Sequence, residues 1–135
     1  MSDKVFIDTV FVIALVNRRD TYHAKALELS DLFDQKLFLT TDVVLLEIGN
    51  ALARNFKQQS IEIIDSFLSS SDVEIVHLTP QLFERAYSLY KQYQDKEWGL
   101  IDCISFEVMR EAGVTAALTF DQHFVQAGFQ ALMRD

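Results

Sequence analysis

Four acidic residues stand in stretches that otherwise avoid charge. Asp8 interrupts the apolar run KVFIDTVFVIALV, Glu47 sits among Leu45, Leu46 and Ile48, and Asp102 among Leu100, Ile101, Cys103 and Ile104. Asp121 falls in LTFDQHF. A carboxylate taken out of water beside such neighbours is costly unless something compensates it. If the four converge, each pair about 5 Å apart repels by roughly 3 kcal/mol at an effective dielectric of about 20. An empty cluster would be strongly unfavourable or partly protonated, and a divalent cation reverses the sign of that sum. Hard oxygen ligands select Mg²⁺ or Mn²⁺, with water filling the remaining positions. An ion held by carboxylates with open positions suits phosphodiester chemistry, where it holds the phosphate, activates a water and stabilises the leaving 3′ oxygen.

Neutral polar groups lie beside these acids. Thr9 follows Asp8 directly, Asn50 is three residues after Glu47, and Ser105 is three after Asp102, so each of the last two shares a helical face with its acid. All three are candidates to orient substrate or water. Arg54, seven residues after Glu47, is a candidate contact for a phosphate or a partner's carboxylate, with a solvated charge as the plain alternative. Arg18, Arg19 and Lys96 are weaker candidates for a basic rim. Trp98 either stacks on a base or packs at the turn before the helix bearing Asp102. His23, His77 and His123 have no metal-ligand spacing with another His or Cys, so each reads as packed or surface. Asp95 lies in the polar QYQDKE and reads as solvated. Taken alone, Asp121 serves equally well as the start of a short helix at Gln122.

The elements that must position these groups alternate. Val5 to Ile7 reads as a short buried strand, and Thr9 to Asn17 as a helix. Asp20 or Thr21 caps a second helix carrying Tyr22, Ala26, Leu29 and Phe33 on one face. Leu37 to Thr41 is a strand, and Asp42 caps the next helix. A helix from about Ser60 to Leu68 leads to the strand Val73 to Leu78. Thr79-Pro80 opens a helix with a capping hydroxyl and a proline at its first position. LIDCISFEVMREAG is a helix closed by Gly113. Val114 to Thr119 is a strand, and Phe129 to Met133 a terminal edge strand. Strands separated by helices predict a mostly parallel sheet with helices on both faces. In such folds the ligand site lies beyond the carboxyl ends of the strands, where Asp8 and Asp121 fall.

The chain has 135 residues, half of them hydrophobic, with eleven Phe, one Pro and four Gly. It reads as one domain over residues 1–135 with a substantial core and no linker. The longest apolar run, Val10 to Val16, is too short to span a bilayer, and no signal-peptide pattern is present. The lone Cys103 excludes an internal disulfide, is consistent with a cytoplasmic location, and reads as a core residue. A net charge of −8 argues against broad non-specific nucleic-acid binding but leaves room for a local basic rim or bound metal.

These residues resemble the PIN-domain ribonucleases, especially toxin subunits of VapC type, over almost the whole chain. FIDTVFVIAL resembles the family's opening strand, aspartate and hydroxyl residue. TTDVVLLEIGNALAR resembles the helix bearing the second acid, and KEWGLIDCISFEVMREAGVTAALTFDQHF the closing half. Asp8, Glu47, Asp102 and Asp121 match the family's four acids in order and context. The resemblance implies a three-layer αβα sandwich, a Mg²⁺- or Mn²⁺-dependent endoribonuclease, a homodimer, and often an antitoxin that occupies the active site. Many relatives carry Ser or Thr just before the third acid, where this chain has Leu100-Ile101, so a neighbouring hydrogen bond is expected to be absent. Two other functions compete. A phosphohydrolase using Asp8 as nucleophile would want an acid two residues on, where Val10 stands. A non-catalytic RNA- or protein-binding module would have no use for four intact acids. Gly49, Gly99, Gly113 and Gly128 form no phosphate-cradling pattern. Phe83, Tyr87 and Tyr90 read as core or dimer surface.

Overall fold

The first strand shows why the sheet is central. Val5, Phe6 and Ile7 (β1, Val5–Ile7) are all buried, so neither face of the strand meets water. A strand without polar alternation belongs in the middle of a parallel sheet covered on both sides. The computed structural model describes residues 3–134 and places β1 there. The other strands are β2 (Phe38–Thr41), β3 (Val73–Val76), β4 (Ala116–Leu118) and β5 (Gln130–Ala131). Their spatial order is β3-β2-β1-β4-β5, and every pairing is parallel. Phe6 sits opposite Leu39 on one side and Ala117 on the other.

Seven helices complete three layers: α1 (Thr9–Val16), α2 (His23–Leu32), α3 (Asp42–Leu52), α4 (Lys57–Ser69), α5 (Pro80–Gln92), α6 (Leu100–Ala112) and α7 (Gln122–Gln126). α1 packs on α2 and α3, and α3 on α4, while α5 packs on α6 and α6 on α7. Phe106 of α6 anchors the second group, meeting Phe124 and Trp98 edge-on at 5.0 and 5.1 Å between ring centres. Such edge-to-face pairs add to the hydrophobic gain of burying the rings. Cys103 is fully buried, and desolvation, with Asp102 adding to it, pushes its thiol up to about 11, which makes it an inert core residue.

Most element signals in the sequence hold. Thr79 Oγ1 accepts from Leu82 N at 3.1 Å with Pro80 behind it, and Gly113 closes α6 in the left-handed region at φ 69°. Two caps differ. Thr41, not Asp42, caps α3, its Oγ1 accepting from Val44 N at 3.0 Å. Asp42 instead accepts from Leu78 N at 3.0 Å and ties the start of α3 to the exit of β3. Asp20 Oδ1 accepts from Tyr22 N at 2.8 Å in the turn ahead of α2, which begins only at His23. The strands expected at Val73 to Leu78 and Val114 to Thr119 are shorter, the first ending sooner and the second also starting later, because β3 and β4 span only Val73–Val76 and Ala116–Leu118.

The order reverses between β1 and β4: β2 and β3 lie to one side of β1, β4 and β5 to the other. Chain leaving β1 and chain leaving β4 therefore diverge and open a crevice at the carboxyl edge of the sheet. Asp8 N reaches Leu118 O at 3.4 Å across that point.

The closing turn of α6 gives a direct test of this framework. Gly113→Ala forces a side chain into a left-handed position and is expected to lower stability by about 1 kcal/mol. Urea unfolding should show a lower midpoint with an unchanged slope, whereas Gly49→Ala, at a helical position, should show no comparable loss.

Candidate metal centre at the carboxyl edge of the sheet

Each acid reaches the crevice from a different element. Asp8 occupies the residue between β1 and α1, in extended conformation, so the end of the strand aims it beyond the sheet. Glu47 lies in the second turn of α3 and Asp102 in the first turn of α6. Asp121 is the N-cap of α7, its Oδ1 accepting from His123 N at 2.9 Å. The cap reading and the cluster reading of Asp121 are thus both true. All four acids line one open cleft together with Thr9 and Asn50; Val10, Ile13, Ala51 and Ile101 supply its apolar walls.

Side-chain and backbone donors hold the carboxylates in place. Thr119 Oγ1 donates to Asp8 Oδ2 at 2.8 Å, and Thr9 Oγ1 donates to Glu47 Oε1 at 2.7 Å. His123 Nδ1 lies 3.0 Å from Asp102 Oδ2 and 3.4 Å from Asp121 Oδ1. A ring nitrogen between two carboxylate oxygens bonds to them only as N–H, so Nδ1 carries the proton. Asp102 Oδ2 also accepts from Gly99 N at 3.0 Å, which fastens it to the start of its own helix.

Burial pushes the Asp8 carboxyl up to about 7, the charges of Asp102 and Glu47 push the same way, and the bonds from Thr119 and the Thr9 backbone oppose them. The mutual repulsion anticipated for converging acids is thus present. Carboxylate oxygens of Asp102 and Asp121 lie within 4.8 Å of each other, bridged by the His123 ring, and Asp8 and Glu47 face the same cleft. A set dominated by hard carboxylate oxygens, strained by like charge and open on one side, fits a divalent cation that takes oxygen ligands.

Two expected members stay outside the cleft. Ser105, three residues after Asp102, is only 2% exposed and faces the core. Arg54 stands exposed in the turn after α3 and does not line the cleft. Trp98 is packed between Tyr93 and Phe106, with its Nε1–H donating to Gln126 Oε1 at 2.9 Å, so it presents no face for stacking. Asp95 is exposed and pairs with Lys96. Thr119 and His123 are members that spacing did not reveal. The only hint was a hydroxyl and an imidazole, each two residues from Asp121 in LTFDQHF.

A five-stranded parallel sheet in this order, with acids converging at its switch point, matches the sequence resemblance. The chain belongs to the PIN domain family, whose profile matches residues 5–130. It is 32% identical over 127 residues to the 23S rRNA-specific endonuclease VapC20 of Mycobacterium tuberculosis, in strains H37Rv and CDC 1551, covering 93% of this chain and 95% of that protein. The crystal structure of Mycobacterium tuberculosis VapC20, a Sarcin-Ricin loop cleaving toxin, superposes with a TM-score of 0.82 at 30% identity over 93% of this chain and 95% of that one. VapBC2 from Rickettsia felis, bound to a DNA fragment from its promoter, shares the fold with a TM-score of 0.65 at 17% identity, over 95% and 96% of the two chains.

The raised Asp8 carboxyl has a consequence for stability. The folded state holds a proton on Asp8 that the unfolded chain releases near its ordinary value of 3.8, so stability falls as pH rises from about 4 to about 7. Asp8→Asn removes the charge and should stabilise the metal-free protein at pH 8 by about 2 kcal/mol, discounted for the opening of the side chain to the cleft. The gain should vanish by about pH 4. Thermal melts in EDTA at the two pH values check it; an equal gain at both would show that Asp8 is not a strained carboxylate.

Proposed function

We propose that the chain is a divalent-metal-dependent endoribonuclease, hydrolysing RNA phosphodiester bonds, and the toxin of a VapC-type toxin–antitoxin pair. The observation that carries this reading is the convergence of Asp8, Glu47, Asp102 and Asp121 on one open cleft. The likeness to an rRNA-specific endonuclease over nearly the whole chain supports RNA as substrate, and makes ribosomal RNA the first to test. No helix among the described residues is long and apolar enough to cross a membrane.

Asp8, Glu47, Asp102 and Asp121 would hold the cation, Mg²⁺ or Mn²⁺. When bound it supplies the positive charge that draws the scissile phosphate in and makes a water acidic enough to attack. The chain's own part is to hold the ligands still. The Thr119 hydroxyl fixes one oxygen of Asp8, leaving the other for the cleft, and the Thr9 hydroxyl does the same for Glu47. His123 is a positioning residue: its Nδ1–H orients Asp102, and its backbone N–H orients Asp121. Asn50 lines the cleft as an uncharged donor and acceptor for the RNA backbone. Ile13, Ala51 and Ile101 keep the walls apolar, which strengthens every charge interaction between them. Val10, two residues after Asp8, gives a nucleophilic aspartate no acid partner.

A homodimer belongs to the same reading. Phe83, Tyr87 and Tyr90 are each 43% exposed and stack in a row along α5. The core alternative for these rings is therefore set aside, and an association surface remains. An antitoxin partner completes the proposal.

Incubation with total RNA and with ribosomes in Mg²⁺, Mn²⁺ or EDTA is the decisive experiment. Cleavage should require the metal and leave 5′-phosphate and 3′-hydroxyl ends. Asp8→Asn should reduce it below detection, and His123→Ala should weaken Mn²⁺ affinity by about 10- to 100-fold, with His123→Asn recovering part. Wild-type protein that binds metal yet leaves every RNA intact would identify a binding module instead.

A further inference from the structure

The acid cleft has a neighbour along α1. Thr9 at the start of α1 touches Glu47 of α3, a separation of 38 residues, and the same separation relates Asn17 to Asn55 further along. α1 and α3 therefore run side by side in step, with the acid cleft at one end of the seam between them and a second, separate open hollow at the other. That hollow is lined by Val16, Asn17, Arg18, Arg19, Asn55 and Phe56, among others. α1 rises about 1.5 Å per residue, which sets the two about 12 Å apart.

Charge is sorted along this seam. Among the described residues, the cations whose side chains have no ion pair, hydrogen bond or ring contact are Arg18, Arg19, Lys36, Arg54 and Lys57. Two of these five, Arg18 and Arg19, line the far hollow, and Arg54 and Lys57 directly flank two other residues of its lining, Asn55 and Phe56, in the chain. In a chain of net charge −8, a cluster of exposed cations without acidic partners is an unanswered positive field. Asn17 Oδ1 accepts from Arg19 N at 3.0 Å, fixing the backbone of the turn that carries both arginines.

We propose that this far hollow, built around Arg18 and Arg19, is a subsite for a backbone phosphate of the RNA strand cut at the acids, a few nucleotides from the scissile bond. The proposal deepens the ribonuclease reading and rests on it. Arginine forks match phosphate geometry, and contacts of this kind fix the register of a strand without reading its bases.

The test measures binding and cleavage separately. Binding of a fluorescein-labelled single-stranded RNA is followed by anisotropy with Mg²⁺ in the Asp8→Asn background, with and without Arg18→Ala/Arg19→Ala. The double substitution should raise Kd roughly tenfold. It should also flatten the slope of log Kd against log salt by about 0.7, the share of the one phosphate that is no longer neutralised. Arg18→Lys/Arg19→Lys should keep most of the affinity. Lys36→Ala, which removes an equally unpaired cation just ahead of β2, should change nothing. In the otherwise wild-type protein the double alanine variant should raise KM and leave kcat and Mn²⁺ affinity as they were. A Kd within twofold of the parent, or an equal loss from Lys36→Ala, would overturn the subsite even if the wild type cuts RNA. Arginine-dependent binding by a wild-type protein that cuts no RNA would keep the subsite and overturn the nuclease reading.

Discussion

Repulsion among carboxylates is the constraint around which this molecule is arranged. Asp8 feels both the loss of water and the charges of Asp102 and Glu47, and nothing in a hydrophobic core relieves either. The fold answers with donors from elsewhere in the chain. Thr119 comes from beyond β4 to Asp8, Thr9 from α1 to Glu47, and His123 from α7 to Asp102. A hydrogen bond to a charged group contributes about 1.5–3 kcal/mol, close to the roughly 3 kcal/mol by which one pair of such charges repels at short range. The donors thus offset part of the strain and leave the rest for a cation. No buried side-chain nitrogen or oxygen among the described residues lacks a partner, so the tension in the site is one of charge and not of missing hydrogen bonds.

The architecture makes such a concentration tolerable. β1 is buried on both faces and ends at the point where the strand order reverses, so the first residue past it must point into the crevice. Asp8 is that residue. The residues behind the site, Phe6, Leu39, Ile48 and Leu118 among them, are close to fully buried and give the carboxylates no room to move apart. Rigid packing and bound charge therefore depend on each other: a looser core would let the acids relax, and the affinity for a cation would fall with the strain.

The sequence was informative where chemistry was local and silent where it was tertiary. Each acid broke an apolar pattern, and a broken pattern is visible without coordinates. The proline and threonine ahead of α5 and the glycine behind α6 announced those boundaries because caps depend on neighbours in the chain. Helical spacing was a poorer guide. Asn50 and Ser105 each lie three residues beyond an acid, yet Asn50 lines the cleft and Ser105 is buried. Periodicity says that two residues share a face but not what the face meets. The middle of α6 is enclosed, with Cys103, Ile104, Ser105, Phe106, Val108 and Met109 all buried, so of its two open ends only the first turn faces the cleft. Thr119 and His123 escaped for a related reason. Their roles come from the exit of a strand and the entry of a short helix meeting residues 111 and 21 positions away.

The same geometry explains how an acidic chain can meet a polyanion. A net charge of −8 spread evenly would repel RNA, but the charge is not even. Several acids are gathered in the cleft, where the proposed divalent cation would invert their sign, and the unpaired Arg18 and Arg19 stand one helix length away. Between them run α1 and α3, held in step by the parallel strands that precede each. With that cation bound, both ends would attract phosphate, and attraction confined to one track would orient a strand as well as bind it. On the proposed function, register along that track would follow from the length of α1, a quantity fixed by backbone geometry, so the distance from anchor to cut would be set by the hydrogen-bonded turns that follow Asp8.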